Sequence, residues 1–578
     1  MKLTGIIQAR LVLTFGAALT CAASCVYIDD NLGKNFIPKD QIYDVKVASL
    51  PLDKSTVWLE SADSLSCYSS SRVTIGSIRE NMGLTKRASA FTVVPVLDSI
   101  DLGNNPRFRN FHFTFVKDTT SYINENQKNI IQNINVYELK DRLDSTFMFS
   151  SDFTSDNVIR DRRITDGIPV YTGGDSLSFD ISEAYAMKYM ELFKENPGIH
   201  NDQTAFLKKI PGIYIETDDP VSDGGRINMF NVAIKVNDSY YVTGNYAELK
   251  ITSDYGTRTA VDTSFLFYFG PADRTNASTT QSAFNICSQP TDILKDGGSF
   301  QEFSTEEEDG RQKVYYRNGE EIFIEGGSGL KPVISAKGMR SLVLNLLGED
   351  GVDPKNVIIN KATLVFPFKF PDNYEDMPLY PSVLSPTCKL SLSSTSDSGE
   401  TLKYATYAGL TDASVDSEDQ GDINRSLCVY SPDISHHVQE VIRLGDDAEF
   451  AEYDIWMLIM AYETITTSST TSDLDSYYQN LAYANYYNNL YNYGGYGYGY
   501  GGYGYGYGYD SYGYGYNNYL NYAMMASMYS GSGSTTSTEL QLDKDRYYAG
   551  RLYGTEASAD EDKKPRLELI YSIVRPEN

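Results

Sequence analysis

Phe111-His112-Phe113-Thr114-Phe115 sets an aromatic ring at every second position with a polar residue between. Side chains of an extended chain alternate between two faces, so this spacing makes a strand with one apolar and one wet face. Ala362-Thr363-Leu364-Val365-Phe366 repeats the pattern and continues through Phe368 and Phe370, past a Pro367 suited to an edge or a bulge. Phe265 to Phe269 and Ile455 to Tyr462 are near-continuous apolar runs, the form a strand takes when both faces are covered. Val314 to Ile324 carries Asn318-Gly319 between apolar flanks, a hairpin signal because both turn positions need a positive φ. The clearest helix spans 184–193, where Ala184, Met187, Met190 and Phe193 share a face, with Ser182 as N-cap and Glu183 in the first turn. These patterns predict an all-β fold of two β-sandwich domains with a few short helices.

The 578 residues are 41% hydrophobic, enough for two sizeable cores. Gly326-Gly327-Ser328-Gly329 breaks the composition and places a boundary between an N-terminal sandwich, 41–325, and a C-terminal one, 326–578. A faint echo crosses it. Asn135-Val136-Tyr137-Glu138-Leu139 leads to Phe179-Asp180-Ile181-Ser182 and a helix, and Thr363-Leu364-Val365 leads to Pro432-Asp433-Ile434-Ser435 and a helical turn. The second sandwich is interrupted by 466–538, which is Ser/Thr-rich at first, then passes through Asn/Tyr clusters into a run of Gly-Tyr dipeptides, and which as a whole holds 20 of the 47 tyrosines. Alternating glycine makes such a stretch costly to order. It reads either as an adhesive loop or as a tolerated insertion without a task.

At the N-terminus Lys2 and Arg10 precede an apolar stretch and then Ala22-Ala23-Ser24-Cys25. This resembles a lipoprotein signal peptide, 1–24, with Cys25 as the lipid attachment site and 25–40 as a lipidated tether. Several acyl chains on one cysteine anchor a protein stably. No later run is long and apolar enough to be a spanning helix. Asp29 and Asp30 then resemble the acidic signal that sends Bacteroidota lipoproteins to the cell surface. Asp+Glu outnumber Lys+Arg 77 to 49, and a chain this acidic repels phosphate backbones, which excludes nucleic acid as a partner. Past Cys25 the cysteines are Cys67, Cys287, Cys388 and Cys428; Cys388 and Cys428, in one expected domain, are the candidate disulfide, with unpaired burial as the alternative.

The chain carries no HExxH, nucleophile elbow, phosphate loop or Cys/His cluster, so no catalytic residue and no metal ligand is assigned. Acidic loops stand at Glu216 to Asp219 with Asp223-Gly224-Gly225, and at Glu306 to Gly310. Asp416 to Asp422 begins like a calcium loop but has Leu427 where the bidentate Glu belongs. Structural calcium in these loops is the alternative to solvated turns; no other cofactor is expected. His436-His437 reads as a structural pair. Asp63-Ser64-Leu65, Asp98-Ser99-Ile100 and Asp175-Ser176-Leu177 resemble the O-glycosylation triplet of Bacteroidota envelope proteins.

Cys25 with the acidic pair and Leu32-Gly33-Lys34-Asn35-Phe36-Ile37-Pro38 resembles the start of the Bacteroidota lipoproteins grouped as domain of unknown function 4270. Leu177 to Asp180, Ile210 to Glu216, Gly327 to Gly329, Val357 to Leu364 and Pro565 to Leu569 follow in the same order. The second half is also similar to a jelly-roll module of carbohydrate-active proteins, in its strand Ala362 to Phe366, its Asp-Ile-Ser turn with Val438-Gln439, and its closing Pro-Arg-Leu strand. What the resemblance implies is jelly-roll-like sandwiches on an outer-membrane lipoprotein. For some relatives it also implies association with the surface side of the outer-membrane protein assembly machine.

The expected function is a non-enzymatic, surface-exposed lipoprotein serving as accessory or structural subunit of an outer-membrane β-barrel complex. The alternatives are a glycan-binding surface lipoprotein and, behind it, a glycoside-active enzyme using paired carboxylates.

Overall fold

The computed structural model describes residues 44–61, 72–80, 83–118, 130–142, 155–221, 224–231, 234–236, 242–244, 246–270, 284–287, 301–308, 311–317, 319–327, 329–372, 377, 380–395, 401–411, 417–467, 535–543, 546–556 and 560–573. The principal elements begin with β1 (Asp44–Pro51), β2 (Val57–Ser61), β3 (Arg72–Glu80), β4 (Gly83–Pro95), β5 (Asn104–Val116), β6 (Gln132–Leu139) and β7 (Ser176–Asp180). There follow α1 (Glu183–Glu195), α2 (Gln203–Lys209), β8 (Ile213–Thr217), β9 (Gly224–Asn231), β10 (Tyr246–Tyr255) and β11 (Arg258–Gly270). Next are β12 (Gln301–Glu308), β13 (Arg311–Arg317), β14 (Glu321–Glu325), β15 (Leu330–Ile334), α3 (Ala336–Glu349), β16 (Val357–Pro367), β17 (Val383–Thr395) and β18 (Thr401–Gly409). The chain closes with α4 (Ser435–Val441), β19 (Ile455–Thr467), β20 (Thr535–Leu542), β21 (Ala549–Tyr553) and β22 (Arg566–Ile573). The fold is all-β, its strands paired antiparallel, and the helices are few.

The first lobe is one sheet in the order β6-β8-β4-β11-β10-β5-β7, with β3 on β4 and β9 on β3. β11 bridges its two halves. Arg258 to Phe267 ladder with β10, and Phe267 to Gly270 then ladder with Pro95 to Thr92 of β4. The sheet therefore folds over itself and encloses the rings of Phe111, Phe113 and Phe115, all fully buried. Phe113 stacks on Phe179 and on Phe269 at 5.5 Å, and Phe115 on Phe269 at 4.6 Å. α1 lies over the open side, with Tyr189 edge-on to Phe111 at 5.4 Å and to Phe267 at 5.5 Å. Its buried stripe is Tyr185, Ala186, Tyr189, Met190, Leu192 and Phe193, rotated from the expected face, and Ala184 is exposed. Ser182 is the N-cap by position but makes no capping hydrogen bond through its side chain.

In the second lobe, β1-β22-β16 form one sheet, extended by short strands at 429–430 and 423–424. The facing sheet runs β12-β13-β2-β15-β19-β17-β18, with β20 on β19, and β14 pairs β21 apart. Leu52, Val57, Leu59, Ile334, Leu364, Ile455, Leu567 and Leu569 meet between them.

This topology corrects the boundary at 325/326. β1 ladders with β22, β2 lies between β13 and β15, and β14 pairs β21, so 44–61 and 301–325 complete sheets whose other strands follow 326. The first lobe spans 72–287 and is inserted into the second, because antiparallel ladders are not limited to strands near in sequence. The Asn318-Gly319 hairpin is also corrected. β13 is flanked by β12 on one edge and β2 on the other, leaving no edge for β14. The hairpin is instead β12–β13, with Glu308 opposite Arg311 and Asp309-Gly310, an equal turn signal, between them in sequence.

The echo is a topological repeat in a different register. In chain order β4, β5, β6, Asp180-Ile181-Ser182, β8 and β10 correspond to β15, β16, β17, Asp433-Ile434-Ser435, β19 and β22. Ladders β6-β8-β4 and β5-β10 match β17-β19-β15 and β16-β22. The Ile181 N–H donates to Phe111 O of β5 at 2.8 Å, and the Ile434 N–H to Ala362 O of β16 at 2.7 Å. His112 opposes Asp180 as Thr363 opposes Asp433. The partner of Thr363-Leu364-Val365 is therefore the phenylalanine strand, and not Asn135 to Leu139.

Phe113→Ala should remove about 3–5 kcal/mol from the first lobe. The check is a lower denaturant midpoint, with amide exchange quickened in β5, β10 and β11.

Candidate functional site

Cys25, Asp29, Asp30, Asp223 and Asp63-Ser64-Leu65 lie outside the described residues. Ser99 and Ser176 are exposed, each followed by a buried residue, Ile100 and Leu177.

Cys388 and Cys428 are both free, which corrects the proposed disulfide. The Cys388 side chain is buried in the core face of β17, whereas Cys428 sits in a turn at φ 55° with its thiol toward Arg425 O at 3.5 Å. Cys388 instead faces His437 of α4, 4.0 Å from Sγ to Nδ1, and Tyr453 O at 3.8 Å. His437 Nε2 donates to the same Tyr453 carbonyl at 2.9 Å, which orients the ring. A cysteine beside an oriented histidine has the outline of a nucleophile and its base. The surroundings oppose that use. Burial, followed by the nearby carboxylates of Glu440 and Asp454, pushes the Cys388 thiol up to about 12, and burial pulls His437 down to about 4. Both groups are neutral at pH 7, and the pair packs rather than reacts.

The acidic loops spend their carboxylates on protein partners. Glu216 takes Arg160 at 2.5 Å and the Tyr214 hydroxyl at 2.9 Å, while the Arg160 guanidinium lies over the rings of Tyr137 and Tyr214 at 5.4 Å each. Asp218 accepts from Asn133 and Asn135 at 2.8 and 2.6 Å, and Asp219 pairs with Lys86 at 2.6 Å. In 417–422, Asp419 pairs with Lys361 at 3.0 Å and Asp422 accepts from the Tyr462 hydroxyl at 3.0 Å. The side chains of 306–310 are outside the described residues. Among the described residues no three His, Cys, Asp or Glu side chains are grouped to hold a metal ion.

Gly326-Gly327-Ser328-Gly329, expected as a domain boundary, is a packed joint at Gly326, Gly327 and Gly329. It curls around Lys331, 1% exposed, whose ammonium donates to the carbonyls of Gly327 and Gly329 at 2.9 Å and to that of Glu325. A Cβ on Gly326 would stand 2.1 Å from Arg546 O, and Gly327 has φ 59°. These glycines therefore serve close approach and a left-handed turn, not freedom. The first lobe meets the joint directly: Arg87 donates to Gly326 O at 3.3 Å and Thr85 to the Glu325 carboxylate at 3.2 Å. Tyr547 seals it against Ile78, Ile227 and Met229.

Among the described residues, an exposed apolar group lies on a sheet face of the second lobe. On the outer face of β1-β22-β16, Val45 and Val47 are 58% and 78% exposed, with Ile570 and Ile358 at 37% and 41%. Val47 is directly opposite Ile570, and Ser572 separates Val45 from Ile358, so the four form one patch. Among the described residues β1 ladders only with β22, leaving its outer edge open. Sequence inspection missed this face because Asp44 to Pro51 alternates weakly and its apolar residues point both ways.

Two outcomes follow. Cys428 should react with a thiol reagent in the native protein, while Cys388 should react only at the rate of unfolding, followed by mass spectrometry. Acid should also act through His437, whose folded value lies below its ordinary one. Between pH 6.5 and 4 the unfolded chain binds the proton and the folded chain does not, so that stability, full above 6.5, declines by up to about 3 kcal/mol as pH falls. Asp454, raised by burial to about 7, acts oppositely, binding its proton in the folded state and losing stability as pH rises through 7. His437→Gln removes the first effect and leaves the second, so its denaturant midpoint should fall less on acidification than that of the parent.

Compared with family models, curated proteins and solved structures, the chain matches none.

Proposed function

We propose that this protein is a non-enzymatic, lipid-anchored outer-membrane subunit that faces the cell surface and binds a membrane-embedded β-barrel partner. The observation that carries the reading is the apolar patch of Val45, Val47, Ile358 and Ile570 beside the open edge of β1. Exposed apolar residues gathered on a sheet face beside an open edge are the kind of surface proteins use for partners. The patch lies on β1, which begins at Asp44, a few residues past the expected tether 25–40, so an anchor at Cys25 delivers this face near the bilayer. A flexible tether of the expected length, 25–40, would have a root-mean-square span of about 22 Å. The acidity of the chain favours a protein partner there over an anionic lipid surface.

A second reading, glycan binding, has one observation in its favour. Thr467 of β19 is opposite Thr535 of β20, so the Tyr/Gly-rich stretch leaves and re-enters on one rung of a ladder. Its tyrosines are then the groups that would stack on sugar rings.

Purified from membranes in mild detergent, the protein should carry a stoichiometric barrel identified by mass spectrometry, and protease should reach it on intact cells. Val47→Asp should lose the barrel at an unchanged melting temperature. Recovery of the native protein alone would end the subunit reading; polysaccharide binding abolished by Tyr→Ser changes in 491–516 would establish the second.

A further inference from the structure

The slot between β22 and β15 is closed by the far end of the chain. In the first lobe the equivalent slot, between β10 and β4, is filled by β11, which follows β10 after a two-residue turn. In the second lobe β22 ends at Ile573, and the place of β11 is taken by β1 and β2 from the N-terminus. The direction is the same in both: antiparallel first to β22, as β11 is to β10, then antiparallel to β15, as β11 is to β4. The second lobe is thus the first with its closing strand moved to the front.

The fit is that of a bound strand. Asp44 to Pro51 run opposite Ile573 to Arg566, and Val57 to Ser61 opposite Ile334 to Leu330. Leu52, Val57 and Leu59 are buried in the core, with Ala48 and Leu50 packed against it. Between the ladders Asp53 accepts from the backbone N–H groups of Ser55 and Thr56 at 2.8 and 2.9 Å, which turns the chain from one sheet to the other. The ends of this crossing are pinned by Leu52 N–H to Pro565 O at 2.9 Å and Ser335 N–H to Thr56 O at 2.8 Å. Lys46 pairs at 2.8 Å with Asp350, which also accepts from the Tyr571 hydroxyl at 2.7 Å.

We propose that the second lobe is a strand acceptor: its β22–β15 slot is a binding site for an extended segment whose core-facing positions are apolar, filled in cis by residues 44–61. The lobe stays open until that segment docks. Backbone pairing supplies the affinity and the leucine and valine pockets the register, as in strand addition between proteins. Because 44–61 and β22 lie on either side of the first lobe in the sequence, closure waits until Arg566–Ile573 has been made, whereas the first lobe contains its own closing strand. This inference rests on pairing alone and is independent of the proposed anchor or barrel.

The test uses the full chain with a protease site inserted between Ser61 and Arg72. After cutting, the N-terminal fragment should co-elute with the remainder and separate only in denaturant. In the nicked protein Leu59→Asp should release the fragment and quicken amide exchange in 357–367 and 566–573 by about 100-fold or more, with 104–116 and 246–255 unchanged. A labelled 44–61 peptide in excess should then rebind to the nicked, fragment-free remainder. Fragment loss from the nicked parent with protection of 357–367 and 566–573 retained would overturn the proposal. So would unaltered exchange in the Leu59→Asp protein, or loss of protection in both lobes together.

Discussion

The ladder between β1 and β22, Asp44 opposite Ile573, joins the two ends of the described chain, and the second lobe is organised around it. β22 pairs β16 on its other edge and sends Leu567 and Leu569 into the core, so it is buried between neighbours only when β1 is in place. Edges of sheets are sticky because their N–H and C=O groups lack partners. The first lobe solves this by curling its sheet through β11; the second does so with residues 44–61, which lie across the first lobe from β22 in the sequence.

The same plan built twice explains why the two clearest alternating stretches became structural counterparts. Phe111 and Ala362 each receive the isoleucine N–H of an Asp-Ile-Ser turn, and the helix that follows covers the sheet. The side chains then diverge. The first copy fills its space with phenylalanine and tyrosine rings at 4.6 to 6.5 Å, while the second core is more aliphatic, with fewer rings, and adds α3. Between the copies the joint is polar inside and apolar at one side. A buried ammonium cupped by carbonyls holds Glu325 to Gly329, and Tyr547 closes the apolar part. Lysine is tolerated at 1% exposure because each proton has an oxygen to meet.

Electrostatics separate groups that look reactive from groups that are. The Cys388 and His437 pair has the geometry of chemistry and the dielectric surroundings of packing. The acidic loops, dense with carboxylates in the sequence, meet Arg160, Lys86, Lys361 and tyrosine hydroxyls on neighbouring strands. Among the described residues, the sheet of β1, β22 and β16 keeps a modest apolar face exposed.

Local pattern was enough to identify strands. Side-chain alternation with period two is a property of the backbone itself, so Phe111 to Phe115 and Ala362 to Phe366 declared their form and buried face without a neighbour. The all-β class and the existence of α1 followed from the same periodicities. Partnership was not local. Ladders bind strands by backbone groups that every residue carries, so nothing in Asp44 to Pro51 marks β22 as its mate, and nothing in Asn318-Gly319 says that both edges of β13 are taken. Gly326 to Gly329 reads as a domain boundary until Lys331 is found among its carbonyls, and two cysteines in one lobe read as a pair until one faces the core and the other a turn. Strand identity was legible in the sequence; which strands meet, and hence which groups are consumed inside and which face outward, was decided only by the tertiary structure, because pairing depends on what else competes for each edge.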